Sequence, residues 1–215
     1  MKNKKFFQRN PFIISIIIAI SFILGLVISV KQTPTEKPEY TGVIWPNSPK
    51  VSEFTMLNSY EKEITETSLE GTWNLIFFGF TYCPDICPST LSTLSIAEQT
   101  LRERNMFDKS NIIFISVDTH RDDPNIIRRY LSNFSNSFIG MMGEASELKK
   151  LGDSLGAVFY QHEMDNGEII IDHSSSLFIL SPENELLGVL TQPFSSKDVV
   201  EKYEKLRDFH HKHLN

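Results

Sequence analysis

The chain has 215 residues, 40% of them apolar and 22% charged, enough for one globular core and an accessory segment. All 27 acidic residues lie beyond residue 31, against 16 basic ones there, so that part carries a formal charge of −11. This balance argues against nucleic acid as a partner and suits an acidic domain that either meets a basic protein patch or is simply kept soluble by its charge. In chain order, residues 12–30, FIISIIIAISFILGLVISV, contain no charge and as a helix would reach about 28 Å, a bilayer's hydrocarbon thickness. They read as one transmembrane helix. Lys2, Lys4, Lys5 and Arg9 precede it while only Lys31 and Lys37 lie close behind, which predicts a cytoplasmic tail at residues 1–11 and export of everything after residue 31. The run is longer than a signal-peptide core, and its exit, GLVISVKQT, lacks a small-x-small cleavage site, so the anchor is expected to stay attached. An anchor so near residue 1 favours a single-pass protein of a bacterial inner (plasma) membrane, facing the periplasm or outer side, over the mitochondrial inner membrane.

Residues 31–50 hold four prolines and few core-forming side chains, and read as an extended tether. The folded domain is expected from residue 51 to residue 215. Leu75–Phe80 and Ile112–Val117 are short apolar runs typical of buried strands, and each is followed by a helical pattern, Pro88–Arg104 and Pro124–Phe134. Right-handed crossovers then make the two strands parallel neighbours. A third helix is predicted over Ala145–Leu155, and AVFYQHEMDNGEIIIDH reads as a hairpin turning at Asp165-Asn166-Gly167. SSLFILS and ELLGVL form two more strands around Pro182-Glu183-Asn184, and an amphipathic helix over Lys197–Phe209 closes the domain. A central mixed sheet flanked by helices, with a cysteine pair where the first parallel strand exits, is a thioredoxin-like α/β arrangement.

The only cysteines are Cys83 and Cys87 in FFGFTYCPDICPST, each followed by proline. They sit where a strand hands over to a helix N-terminus, a position that lowers thiol pKa. A disulfide closing so short a loop removes little chain entropy, so a structural staple is a poor explanation. Redox exchange and metal binding both remain open. Of six histidines, His173 in IIIDHSSSLFIL stands out, at the start of a strand that comes in beside the first. Thiol–disulfide exchangers usually carry a cis-proline there, whereas this stretch has none. Two thiolates and an imidazole suit Cu(I) or Cu(II), with Zn(II) an alternative if a fourth ligand completes a tetrahedron. Asp118 and Asp172 are candidates for orienting His173, and Asp85 for capping the helix start. His120 and His162 read as surface residues, and HHKH at 210–213 as a frayed, solvated tail.

FFGFTYCPDICPSTL, FISVDTHRDDP and DHSSSLFIL together resemble the SCO/SenC family, membrane-anchored copper carriers that serve cytochrome c oxidase assembly. The resemblance covers most of the exported domain, with Thr119 in place of the usual proline after Asp118 and Phe80 in place of the usual tyrosine. It implies a thioredoxin fold with an added hairpin, copper held by Cys83, Cys87 and His173, and delivery from an unidentified donor to the binuclear copper site of oxidase subunit II. Some members of the family act instead by reducing the cysteines of that copper site or in redox signalling, with the Cys83/Cys87 pair as a thiol–disulfide oxidoreductase. A peroxiredoxin-type peroxidase fits less well, because no Pro-x-x-x-Thr-x-x-Cys arrangement surrounds Cys83.

Overall fold

A computed structural model describes residues 48–164 and 169–213, together with Ser15, Ile18, Ile20 and Ser21. The chain divides into two compact units, Met1–Thr41 and Gly42–Asn215. In the first, the four described positions are helical. The tail at 1–11, the rest of the expected anchor at 12–30 and the tether up to residue 47 lie outside the described residues, and among the described residues no helix is long and apolar enough to cross a membrane.

The second unit runs in chain order through β1 (Thr55–Asn58), β2 (Glu63–Thr65), a 3-10 turn (Glu66–Leu69), β3 (Trp73–Gly79), α1 (Ile86–Glu103), β4 (Ser110–Ser116), α2 (Pro124–Leu131), β5 (Ile139–Met142) and α3 (Ala145–Leu155). It continues with β6 (Phe159–Glu163), β7 (Ile169–His173), β8 (Leu177–Leu180), β9 (Leu186–Leu190) and α4 (Ser196–His213). Among the described residues, seven strands form one mixed sheet in the order β2-β1-β5-β4-β3-β8-β9, while β6 and β7 pair only with each other. β3 is parallel to β4 and antiparallel to β8. Every residue of β3 is buried, which is why its sequence is an unbroken apolar run rather than an alternating one.

The helices follow from local chemistry. α1 buries Cys87, Leu91, Leu94, Ala97 and Leu101, a stripe at helical spacing that lies on the sheet. α2 starts with Pro124 at its first turn and with Asp123 as N-cap, accepting the Ile126 amide at 2.8 Å. At Gly140 in β5 a Cβ would come within 2.3 Å of Ile127 Cγ2, so only glycine lets α2 lie this close to the sheet.

The parallel pair β3 and β4, the flanking helices and the β8–β9 hairpin match the sequence reading within a few residues. The Asp165-Asn166-Gly167 turn lies outside the described residues, although the register of β6 on β7, Phe159 opposite His173 to Glu163 opposite Ile169, is that of one hairpin. β1, β2 and β5 were not expected. They are three or four residues long, and β5 reads Ile-Gly-Met-Met, without the β-branched run that marks a strand. Two expectations need correction at the margins of the domain. Pro49 and Lys50 already belong to the fold, since Pro49 accepts the Leu186 amide and Lys50 bridges Glu185. The HHKH segment lies within α4 through residue 213, and its first member is buried: His210 meets the Trp73 ring edge-on at 5.3 Å and lies 2.7 Å from a Glu183 oxygen. An aromatic wall and a carboxylate partner hold it in place of solvent.

Candidate metal centre

β3 ends at Gly79, and the next six residues carry the chain to α1 with Cys83 on the way and Cys87 in the first helical turn. The helix starts only at Ile86, so the two sulfurs are not brought together by a shared helical turn. Instead the Cys87 amide donates to Cys83 Sγ at 3.4 Å, folding the loop back over the helix start. Both cysteines are free and buried. Asp85 occupies the N-cap position, but its side chain makes no capping bond and is exposed, contrary to the expected role.

β7 delivers His173 from 86 positions further along the chain than Cys87, and places its Nε2 3.5 Å from Cys87 Sγ. The ligand atoms of Cys83, Cys87 and His173 all lie within 4.8 Å of one another. The imidazole is edge-on to the rings of Phe77, at 6.0 Å, and Phe80, at 5.8 Å. Its Nδ1 lies 3.2 Å from the Ser174 carbonyl oxygen, which can only accept, so Nδ1 carries the proton and Nε2 presents its lone pair to the sulfurs. Burial holds the His173 pKa below the usual histidine range, which keeps the ring neutral, the form that binds metal.

Cys87 departs from expectation. Burial drives its thiol far above the ordinary cysteine range, and the Phe80 backbone contact, which acts the other way, does not offset it.

The two carboxylates read as partners of His173 are elsewhere. Asp118 is fully buried, but it accepts the His120 and Arg121 amides at 3.2 and 3.1 Å and pairs with the Arg121 guanidinium. Asp172 alternates to the outer face of β7 with its side chain 75% exposed, and acts on His173 only through its charge. The orienting role belongs to the Ser174 carbonyl and the two phenylalanines.

Residues not singled out from sequence complete the site. Asp122 is buried and accepts the Thr81 amide at 3.1 Å, the Thr81 hydroxyl, and the Ser116 hydroxyl at 2.5 Å. It thereby pins the start of the cysteine loop to the end of β4. Burial raises its pKa, and these bonds work against that rise. Arg121 lies over the rings of Phe80 at 5.8 Å and Tyr82 at 5.2 Å, covering the loop from outside. The signal for both residues was in THRDDP, a polar cluster directly after a buried strand. His120 and His162 are exposed, as expected of surface residues.

Comparisons with known proteins converge on one family. The SCO1/SenC family profile matches residues 45–208. Protein SCO1 homolog 1, mitochondrial, of Arabidopsis thaliana is 34% identical over 130 residues, 60% of this chain and only 39% of that relative's length. The SCO2-like protein of Rickettsia felis is 31% identical over 201 residues, 88% of this chain and 95% of that protein. Among solved structures, that of Arabidopsis thaliana ScoI with copper bound superposes with a TM-score of 0.68 at 28% identity, covering 74% of this chain and 98% of that one.

Proposed function

The chain belongs to the SCO1/SenC family, and from that premise we propose that it is a membrane-anchored copper metallochaperone that takes Cu(I) or Cu(II) as cargo on Cys83, Cys87 and His173. In this reading residues 12–30 hold it in a bacterial inner (plasma) membrane, residues 31–48 act as the tether, and the domain from residue 49 delivers copper to the binuclear copper centre of cytochrome c oxidase subunit II. The observation that carries the reading is the convergence of two sulfurs and one imidazole nitrogen, from segments far apart in sequence, within 4.8 Å.

The donor set fits copper. Two thiolates neutralise and hold the soft Cu(I) ion, and a neutral imidazole adds a borderline ligand that also suits Cu(II). Loading displaces the proton that Cys87 retains, while His173 enters as it already stands, with its lone pair at Nε2. His173 is half-buried rather than enclosed, which leaves one side of the ligand set open to an incoming ligand. Copper leaves by ligand exchange, sulfur by sulfur, onto the acceptor's own thiolates.

The test is metal analysis and copper spectroscopy on the purified, reduced chain. One copper per chain is expected, lost on Cys83→Ser or Cys87→Ser. His173→Ala should weaken Cu(II) binding strongly and Cu(I) binding less; an unchanged Cu(II) affinity would remove His173 from the set.

A second reading, thiol–disulfide exchange with the cysteines of that copper site or in redox signalling, draws on two free cysteines held together, the Cys87 amide lying 3.4 Å from Cys83 Sγ. Fast, copper-independent reduction of a target disulfide by the chain would support it.

A further inference from the structure

The two sulfurs of the metal centre are held very differently. Cys87 stands in the first turn of α1, fully buried, and its Sγ lies 2.8 Å from where a Cβ on Gly79 would be, in one layer with the Phe77 and Phe114 rings. His173 is fixed by its contact to the Ser174 carbonyl and by edge contacts to Phe77 and Phe80. Cys83 belongs to neither strand nor helix. Its amide donates to the Phe80 carbonyl at 3.3 Å, closing a turn over residues 80–83, and its neighbours Tyr82, Pro84 and Asp85 are exposed. Asp85 makes no capping bond that would tie this stretch to the helix.

Within the turn the anchoring changes from residue to residue. Asp122 holds the Thr81 amide at 3.1 Å. One position later the Tyr82 ring, on a residue 58% exposed, lies under the Arg121 guanidinium at 5.2 Å. Arg121 is itself set in place: Asp118, fully buried, pairs with its Nε and accepts its amide at 3.1 Å. The same guanidinium reaches the Phe80 ring at 5.8 Å, so one fixed cation faces both aromatic residues of the turn. Phe80 is buried by the core in any case. Tyr82 faces solvent, where a ring is held by what stacks on it.

Resting on the metal-carrier reading of the same site, we propose that Cys83 is the first ligand to leave copper, and that the Arg121–Tyr82 stack is the clamp that sets how readily it does so. In this step an incoming donor from the acceptor forms its bond to copper as the bond between copper and the Cys83 sulfur breaks. Copper keeps its oxidation state, and the freed thiolate takes up a proton from water. Cys87 and His173 hold the ion until the acceptor has it. Tyr82 and Arg121 are positioning residues, acting on copper through the turn that carries Cys83.

The test is release of Cu(I) from the reduced, full-length chain to excess bathocuproine disulfonate, followed by the colour of the chelate in stopped flow. Release can respond to Tyr82 only if Cys83 lets go at or before the slowest step. Tyr82→Leu should release copper about two- to fivefold faster, the loss expected for an exposed cation–π contact. Tyr82→Phe keeps the ring and should release at the wild-type rate. Arg121→Lys keeps a charge beside Asp118 without the flat guanidinium and should also be faster; adding Tyr82→Leu to it should bring no further gain, as two partners of one contact require. Wild-type release from Tyr82→Leu, fast release from Tyr82→Phe, or additive effects in the double variant would each overturn the proposal. The empty Tyr82→Leu protein should unfold at the wild-type temperature; a lowered midpoint would mean that the ring supports the fold rather than the turn, and would overturn it as well. Cd(II), withdrawn by EDTA and followed by loss of its thiolate charge-transfer absorption, is run in parallel. A wild type that binds Cd(II) but not copper would refute the carrier reading while the Tyr82 effect is still read on Cd(II), and one that binds neither would overturn both.

Discussion

Gly79→Ala should damage the metal centre without touching any ligand. A methyl group at this position would lie 2.8 Å from Cys87 Sγ, 2.8 Å from Phe114 Cε2 and 3.1 Å from Phe77 Cε1. An ordinary non-bonded contact needs about 3.5–4.0 Å, so relief requires a shift of about 1 Å. Phe77, Phe114 and Cys87 are all fully buried, but the two rings are packed on each other at 6.3 Å in the middle of the sheet while the sulfur stands in the first turn of α1 beside the loop, so the sulfur is the group expected to give way. Overpacking of this kind costs about 1–3 kcal/mol. Burying a methyl group and stiffening the unfolded chain return up to about 1 kcal/mol. The net loss, about 1–2 kcal/mol, corresponds to a fall in Tm of roughly 2–8 °C for a domain of this size.

The effect on metal is larger in proportion. Metal–ligand distances tolerate only about 0.2 Å, so the displaced sulfur should weaken copper binding about tenfold or more, equivalent to about 1.4 kcal/mol. Thermal unfolding of the empty protein and competition titration with Cu(I) measure the two effects separately. Gly140→Ala is the control, because its methyl group would lie 2.3 Å from Ile127 Cγ2, in contact with α2 rather than with a sulfur. It should lose stability and keep wild-type copper affinity while folded. If Gly79→Ala binds copper as tightly as wild type, the packing of Cys87 against that backbone does not set the sulfur position.

Three further outcomes follow from the same structure. His210→Ala should cost about 1–2 kcal/mol through lost packing on Trp73 and a lost bond to Glu183, whose half-exposed side chain finds water instead; copper affinity should be unchanged, and a weaker one would restore the C-terminal histidines as a chelate. Asp122→Ala should cost about 2–3 kcal/mol by orphaning the Thr81 and Ser116 donors, and should broaden the copper spectrum as the loop loses its anchor; a sharp wild-type spectrum would count against that anchoring role. The empty protein should be most stable between about pH 6.5 and 8.5. Below that window the unfolded imidazole takes up a proton that His173 refuses, and above it the unfolded thiol releases a proton that Cys87 keeps. Denaturant midpoints across pH measure both limbs, and a loss of stability beginning at about pH 8.5 that survives Cys87→Ala would refute the assignment; a loss beginning only at about pH 10 belongs to the buried hydroxyls of Tyr130 and Tyr203.

What could be read from sequence was what periodicity and residue type express directly. β3 and β4 announce themselves because strands buried on both faces must be apolar throughout. Cys83, Cys87 and His173 were legible because few residue types bind soft metals, and the chain places them at element boundaries. Asp172 misled because its sequence proximity to His173 was taken for spatial proximity to the ring, whereas Asp118, far from every ligand candidate in sequence, offered no such cue. In β7 the alternation of side chains turns Asp172 outward from its neighbour His173, and the Asp118 carboxylate closes its own turn on Arg121. His210 misled for a related reason: a polar C-terminal run looks solvated until a tertiary neighbour, here Trp73, is known.

Cys87 shows which of two effects decides the character of the site. A helix N-terminus is worth about 0.3–1 kcal/mol to a negative charge, less than one pKa unit. Burial can move a pKa by about 3–5 units in the opposite direction, and Cys87 is fully buried. The proton therefore stays on this sulfur at neutral pH, and a thiol is a poor nucleophile toward a disulfide. A metal ion changes the balance, because the free energy of binding thiolates is large, about 10–16 kcal/mol for zinc in small domains, and can displace the proton outright. A pair built for rapid exchange would gain from an exposed, ionised sulfur. A pair built to hold an ion and stay unreactive when empty gains from this arrangement, in which the second sulfur ionises only when its metal arrives.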